Sequence, residues 1–313
     1  MPELGLQLLA VCVAVFIDMH WGEPPARFHP VVWMGRYLNW AAGPSLPTRI
    51  LHQWVFGTVY WLVGAVGVVG LAVLLEWGVY ALPVEGAWLG LALVFKPHFA
   101  WGLLRDEVRA VEHALGESLD AGRKRVSYLC SRDVSQLSEH QVRETAIETL
   151  AENLNDSFIA PVLWFVVLGL PGVCLYRFAN TADAMWGYMG MRNGRDWTWF
   201  GQCAARVDDV LSWLPARITA ALLWAVSGGK VSVKALWHEA RKPTSPNSGW
   251  PMAAMALALT VRLEKPNVYV LNPTGRAPQC TDTDRALRMA SRVVYGVVGG
   301  CFLCCVLVGV QTR

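Results

Sequence analysis

Three polar segments stand inside otherwise apolar sequence: E-T-L-A-E-N-L-N-D (Glu148–Asp156), N-T-A-D-A-M-W-G-Y (Asn180–Tyr188) and F-G-Q-C-A-A-R-V-D-D-V (Phe200–Val210). Their acids, Glu148, Glu152, Asp156, Asp183, Asp208 and Asp209, lie beside hydrophobic residues. Taking an ionised carboxylate out of water without a partner costs several kcal/mol. Acids kept against apolar walls therefore point to a cation, a phosphate or a reacting group. On a helix, Glu144, Glu148, Glu152 and Asp156 recur every four residues and line one slowly drifting face. Like charges stacked in this way repel, and a divalent cation removes the repulsion. Mg²⁺ typically takes one or two carboxylates together with substrate phosphate oxygens. A solvated acidic stripe is the plain alternative, and the apolar Phe158-Ile159-Ala160-Pro161 that follows weighs against it.

The cations and amides around these acids extend the pattern. Arg206 precedes Asp208-Asp209, either as a structural ion pair or, with Arg217, as a clamp on carboxylate or phosphate. Asn247 and Ser248 open a helix at Trp250, where free N–H groups and the positive dipole end suit an anion, and where plain capping explains the same residues. Asp18, Glu23, His29 and Arg36 crowd one short loop and read as the lip of a site rather than as interfacial anchors. Lys96 closes an apolar stretch, where it either snorkels or holds a phosphate.

The elements that must position these groups are helical and largely apolar. Of 313 residues, 54% are hydrophobic and 16% charged, against about 25% charged in a soluble domain. The net charge of +3 and the absence of a dense Lys/Arg tract exclude a nucleic-acid partner as the expectation. The eight cysteines show no metal spacing. Membrane spans are expected near 4–20, 54–76, 82–102 and 293–310, with Gly296 and Gly300 as a weak packing motif in the last. Leu4–Ile17 lacks a basic n-region and a cleavage site and is read as a retained span. Lys and Arg placement puts residues from about 96 to 292 in the cytoplasm, within one integral-membrane domain of residues 1–313. Phe158–Tyr176, broken by Pro161, Gly169, Pro171 and Gly172, and Val210–Val226, with Pro215 and Arg217, are expected as buried or re-entrant helices rather than simple spans.

Arg105–Leu115 and Ser138–Asn153 carry amphipathic spacing, the latter with Ser138 and Gln141 as a capping box. A helix from Pro251 to about Leu263 follows the turn Thr244–Gly249, and 266–280 reads as loop. No strand pattern of useful length appears, and no Gly-rich phosphate loop. The fold class is all-α: a polytopic helical membrane protein with a large helical catalytic region.

Taken in order, these motifs resemble the adenosylcobinamide-phosphate synthase family of cobalamin biosynthesis, the membrane proteins known as CbiB or CobD. The resemblance runs from Asp18 to about Tyr269. It rests on D-x-x-x-G-E-P with H-P-V-x-x-M-G-R, E-x-x-A-E-N-x-x-D with I-A-P, N-T-x-D-x-M-x-G-Y, F-G-x-x-A-A-R-x-D-D-V with P-A-R, and S-P-N-S-G. The sequence departs from the pattern at Leu154-Asn155, Ala182, Ser212 and Glu264-Lys265, and lacks a His-Pro pair before Ser245. The resemblance implies ATP- and Mg²⁺-dependent joining of adenosylcobyric acid to (R)-1-amino-2-propanol phosphate, or ethanolamine phosphate, through an acyl phosphate. It implies a multi-pass protein of the bacterial inner membrane, alongside other late corrinoid-pathway membrane enzymes. On this reading Glu148, Glu152, Asp156 and Asp183 hold Mg²⁺, with one Glu as base. Lys96, Arg206 and Arg217 contact phosphates, Asn180, Asp208, Asn247 and Ser248 orient substrates, and Glu23, His29 and Arg36 form the lip. A non-enzymatic carrier or regulator on the same scaffold is the rival class, and a carrier should show paired broken helices.

Overall fold

The computed structural model describes residues 2–43, 46 and 48–311. Twelve helices are described: α1 (Pro2–Trp21), α2 (Pro30–Ala42), α3 (Ile50–Tyr80), α4 (Val84–Phe95), α5 (Trp101–Glu117), α6 (Leu119–Val126), α7 (Glu139–Leu154), α8 (Ala160–Trp186), α9 (Gln202–Val226), α10 (Val233–Ala240), α11 (Gly249–Leu259) and α12 (Cys280–Gln311). Two small hairpins interrupt them, β1 (Met191–Arg192) with β2 (Arg195–Asp196), and β3 (Leu263–Lys265) with β4 (Tyr269–Leu271). Among the described residues, six helical runs are long and apolar enough to cross a membrane: Glu3–Trp21, Ile50–Tyr80, Val84–Glu117, Glu139–Trp186, Gln202–Val226 and Cys280–Val308. The protein is an all-α, multi-pass membrane protein. The two runs beyond the four expected spans contain the stretches read as buried or re-entrant.

The chain divides into two units. The first takes the chain up to Phe99, Ala160–Leu211 and the stretch from Gly300; the second takes Ala100–Ile159 and Ser212–Gly299. In the first unit α3 packs along α8, and α1 along α4. Its core gathers Met34, Leu38, Trp61, Phe178, Trp186 and Phe200. Small residues bring these helices close, as packing in lipid requires. A Cβ at Gly57 would collide with the Phe200 carbonyl, and one at Gly64 with the rings of Phe178 and Tyr37. The packing motif expected at Gly296 and Gly300 is not used in this way, since a Cβ at either would meet open space.

Helix α8 is broken at Gly169, whose φ of 68° and ψ of −156° are non-helical. The break frees the Leu170 N–H, and the Glu76 carboxylate of α3 accepts it at 2.8 Å. A side chain at 169 would run into that carboxylate, so glycine is required for space as well as for φ. Glu76→Ala is expected to leave the amide unpaired and cost about 1–3 kcal/mol. Glu76→Gln keeps an acceptor and most of that stability, as thermal unfolding in detergent would show.

In the second unit α7 packs against α5, α6, α11 and β3. The capping box at its start is present: Ser138 Oγ accepts the Gln141 N–H, and Gln141 Oε1 accepts the Ser138 N–H at 2.9 Å. Helix α11 stops at Leu259 rather than near Leu263, because Thr260 turns left-handed (φ 58°) and the chain enters β3. The stretch expected as loop therefore contains the short strand β4.

Candidate functional site

Helix α7 buries Glu144 and Glu148 in the second unit's interior. Glu144 is fully buried; its Oε2 accepts the Glu264 N–H at 3.1 Å, with Arg262 Nη2 3.6 Å from Oε1. One turn on, Glu148 Oε2 accepts Arg132 Nη2 at 2.9 Å, and the same nitrogen donates to Thr145 Oγ1 at 2.6 Å. Arg132 Nε and Nη1 are buried and have no hydrogen-bond partner. Glu148, Glu152, Thr149 and Asn153 form one wall of a polar cleft of about 290 Å³, and Arg132, Ser131, Lys265 and Tyr269 complete it. Burial pushes the Tyr269 hydroxyl up from its ordinary value, and the charges of Glu148 and Glu152 push it further. It stays protonated and serves as a donor.

After Leu154 the helix widens into a π turn over Asn155–Ile159. Asn155 fixes this turn from both sides: its Nδ2 donates to Asp156 Oδ1 at 2.7 Å, and its Oδ1 accepts the Thr219 hydroxyl at 3.0 Å. A π turn adds a residue per turn and breaks the four-residue phase. Asp156 accordingly does not line the cleft that Glu148 and Glu152 share.

Elsewhere in this unit Arg217 and Asn247 meet. Arg217 Nη1 donates to Asn247 Oδ1 at 2.8 Å and to the Trp213 carbonyl at 2.7 Å, and its guanidinium sits over the rings of Trp213 and Trp250. Ser248 is the N-cap of α11 without a side-chain cap bond, and its N–H is instead taken by Ser245 Oγ at 3.4 Å.

In the first unit, six expected residues form two groups. Lys96 Nζ lies 2.9 Å from Asp18 Oδ1 and 2.7 Å from Glu23 Oε1, and Glu23 Oε2 lies 3.2 Å from His29 Nε2. The Lys96 side chain is 4% and that of Asp18 0% exposed, so this ammonium neither snorkels nor reaches open solvent. Burial pushes the Glu23 carboxyl up, but His29 and Lys96 outweigh it and hold the group below the ordinary range. Asn180 and Asp183 lie three residues apart on α8, with Arg177 Nη1 donating to Asn180 Oδ1 at 3.4 Å. Arg36 and Arg206 are exposed, and Asp208 is half-buried on α9. This unit also holds an apolar cavity of about 630 Å³ with no charged residue in its lining.

Arg132, Lys265 and Tyr269 were not singled out from sequence as site residues. Arg132 counted only as a topological charge and Lys265 as part of a departure from the family pattern. The signal available was a cation on either side of the acidic helix.

A membrane-embedded helical scaffold with a buried acid–base cleft defines the class of protein. The CobD/Cbib protein family matches residues 11–294, and the chain belongs to it. The chain is 39% identical to a protein of Methanothermobacter thermautotrophicus named "Probable cobalamin biosynthesis protein CobD", over 87% of each chain. It is 35% identical to the "Cobalamin biosynthesis protein CobD" of Brucella suis biovar 1, over 91% of this chain and 92% of the relative. It is also 35% identical to that of Dehalococcoides mccartyi, over 84% and 86%. No solved structure matches the chain.

Proposed function

We propose that this protein joins a carboxylate of adenosylcobyric acid to the amine of an amino-alcohol phosphate, giving adenosylcobinamide phosphate at the expense of ATP. The observation that carries the reading is the cleft, where the unpartnered Nε and Nη1 of Arg132 stand beside Glu148 and Glu152. A guanidinium with free donors suits phosphate oxygens, and Lys265 adds a second cation.

An amide does not form readily from a carboxylate and an ammonium near neutral pH, so the carboxylate must first be activated. The γ-phosphoryl group of ATP passes to a carboxylate oxygen and ADP leaves. The amine then attacks the acyl carbon, phosphate departs, and the amine proton goes to a base. Arg132 and Lys265 would hold the phosphates in line, and Tyr269 would donate to an oxygen of the transferred group. Glu148, held by Arg132, fixes that guanidinium, and the more open Glu152 would take the amine proton. Among the described residues no three His, Cys, Asp or Glu side chains gather closely enough to hold a metal ion alone. Glu148, whose Oε1 is buried with no hydrogen-bond partner, fits as the carboxylate that would meet a Mg²⁺ arriving on the nucleotide, which leaves Glu152 free as the base. Once bound, Mg²⁺ neutralises the phosphate charge during transfer. Asn180, Asp183, Arg206, Asp208, Arg217 and Asn247 are proposed to orient the substrates. The requirement for ATP supports a cleft that opens to the cytoplasmic side of the cell membrane.

The test is detergent-purified protein given ATP, Mg²⁺, adenosylcobyric acid and aminopropanol phosphate, with ADP release and the corrinoid mass followed together. Adenosylcobinamide phosphate is the expected product. Tight corrinoid binding without ATP turnover would overturn the reading in favour of a carrier.

A further inference from the structure

A second polar pocket, in the first unit, is built on the hairpin of β1 and β2. Asn193 and Gly194 take φ of 50° and 76°, the two-residue Asn-Gly turn whose twist matches paired strands. The turn sets Arg192 directly opposite Arg195. Like charges facing each other across a strand pair destabilise it. Among the described residues no carboxylate pairs with either guanidinium. The hairpin's own acid, Asp196, is turned to Thr198, accepting its N–H at 3.0 Å and its hydroxyl at 2.6 Å. The guanidiniums rest on neutral partners instead. Arg192 lies 3.5 Å from the Tyr188 ring centroid, and Arg195 lies over Trp197 and donates to the Gly43 carbonyl at 2.9 Å.

These residues enclose a pocket of about 340 Å³, lined among others by Asn39, Trp186, Tyr188, Arg192, Asn193 and Arg195, with no acid in its wall. Trp186 is 1% exposed, and its indole Nε1 is buried with no hydrogen-bond partner. Leaving a buried donor unpaired costs about 1–3 kcal/mol. Two facing cations with no acid in the wall beside them call for one anionic acceptor.

We infer that this pocket binds a phosphate group, contributed either by a soluble phosphomonoester or by the headgroup of an anionic phospholipid. Arginine forks match phosphate oxygens, and an anion between Arg192 and Arg195 turns their repulsion into a shared attraction. Two features speak for the lipid source. The pocket lies where α8 ends at Trp186, close in sequence to the end of an apolar run. The same loop also exposes Met189 and Met191, at 94% and 71%, as apolar contacts beside the cations.

The full-length protein in phosphatidylcholine nanodiscs is titrated calorimetrically with inorganic phosphate and with ethanolamine phosphate. In parallel, discs containing dioleoylphosphatidylglycerol are examined by native mass spectrometry for retained lipid. Saturable binding of at least one probe is expected, weakened about tenfold or more by R192Q/R195Q. Arg109→Gln, at an exposed arginine on α5, should change nothing. Without ligand, R192Q/R195Q should unfold at the native temperature or above it, because the facing charges are gone. Added phosphate probe should raise the unfolding temperature of the native protein and not of the variant. Binding confined to the soluble probes identifies a phosphomonoester site, and binding confined to the lipid identifies a headgroup site. No saturable binding of any probe, or binding that R192Q/R195Q leaves intact, overturns the inference. None of these readouts uses ATP turnover, so the inference fails or holds independently of the proposed reaction.

Discussion

Arg132→Met is expected to lower stability by about 3–5 kcal/mol and to remove at least about a hundredfold of amide synthesis, while adding Glu148→Met restores the stability alone. The Glu148 side chain is 5% exposed, and Arg132 Nη2 is its guanidinium partner at 2.9 Å. Removing one member of such a pair leaves a charge buried without compensation, which is the costly case. Replacing both by apolar side chains of similar size is close to neutral. Thermal unfolding should therefore show a deep loss for the single variant and near-native behaviour for the double one. Activity should follow a different order, because the unpartnered Nε and Nη1 serve the phosphates rather than Glu148. Arg132→Lys keeps the charge and loses the fork, so it should raise KM for ATP with a smaller loss of stability. If the double variant recovers ADP release along with stability, the cleft is a structural ion pair and the proposed chemistry lies elsewhere.

The contrast between Glu148 and Asp156 shows what the sequence could and could not disclose. Acids at four-residue spacing placed Glu148 and Glu152 on one wall, because α7 is regular from its Ser138 cap to Leu154. The same spacing carried Asp156 along by extrapolation. The π turn that removes it is held by Asn155 bonding to Thr219, 64 positions away, and no local pattern encodes that bond. The partners of the acids were hidden for the same reason. Arg132 lies outside α7, and Lys265 and Tyr269 lie on strands of three residues, too short to give an alternating signature. The helical membrane class was legible, because long uncharged runs answer to the bilayer rather than to any particular neighbour. Lys96 shows the limit from the other side. A lysine ending an apolar run reads as a snorkelling or ligand-binding cation, and only the folded chain brings Glu23, 73 positions away, to its ammonium.

That burial makes Lys96→Met the variant whose pH dependence should run opposite to the native protein's. In the native protein Glu23 is held below its ordinary value of 4.5. Such a carboxylate contributes stability that is complete above about pH 4.5 and is lost as the pH falls through its lower folded value. Between pH 7 and 5 its contribution is flat. Removing the ammonium takes away the 2.7 Å and 2.9 Å contacts to Glu23 and Asp18, and at pH 7 two carboxylates are left with less compensation. The expected loss is about 3–5 kcal/mol. The burial that pushes the Glu23 carboxyl up then meets only His29 in opposition. Its folded value should rise above the unfolded one, so the folded state binds the extra proton and stability increases as the pH falls. Unfolding temperatures in detergent at pH 5, 6 and 7 should converge for the two proteins toward pH 5 and separate toward pH 7. A gap that stays constant across this range would mean that Lys96 stabilises the fold by its stem packing and not by neutralising the two acids.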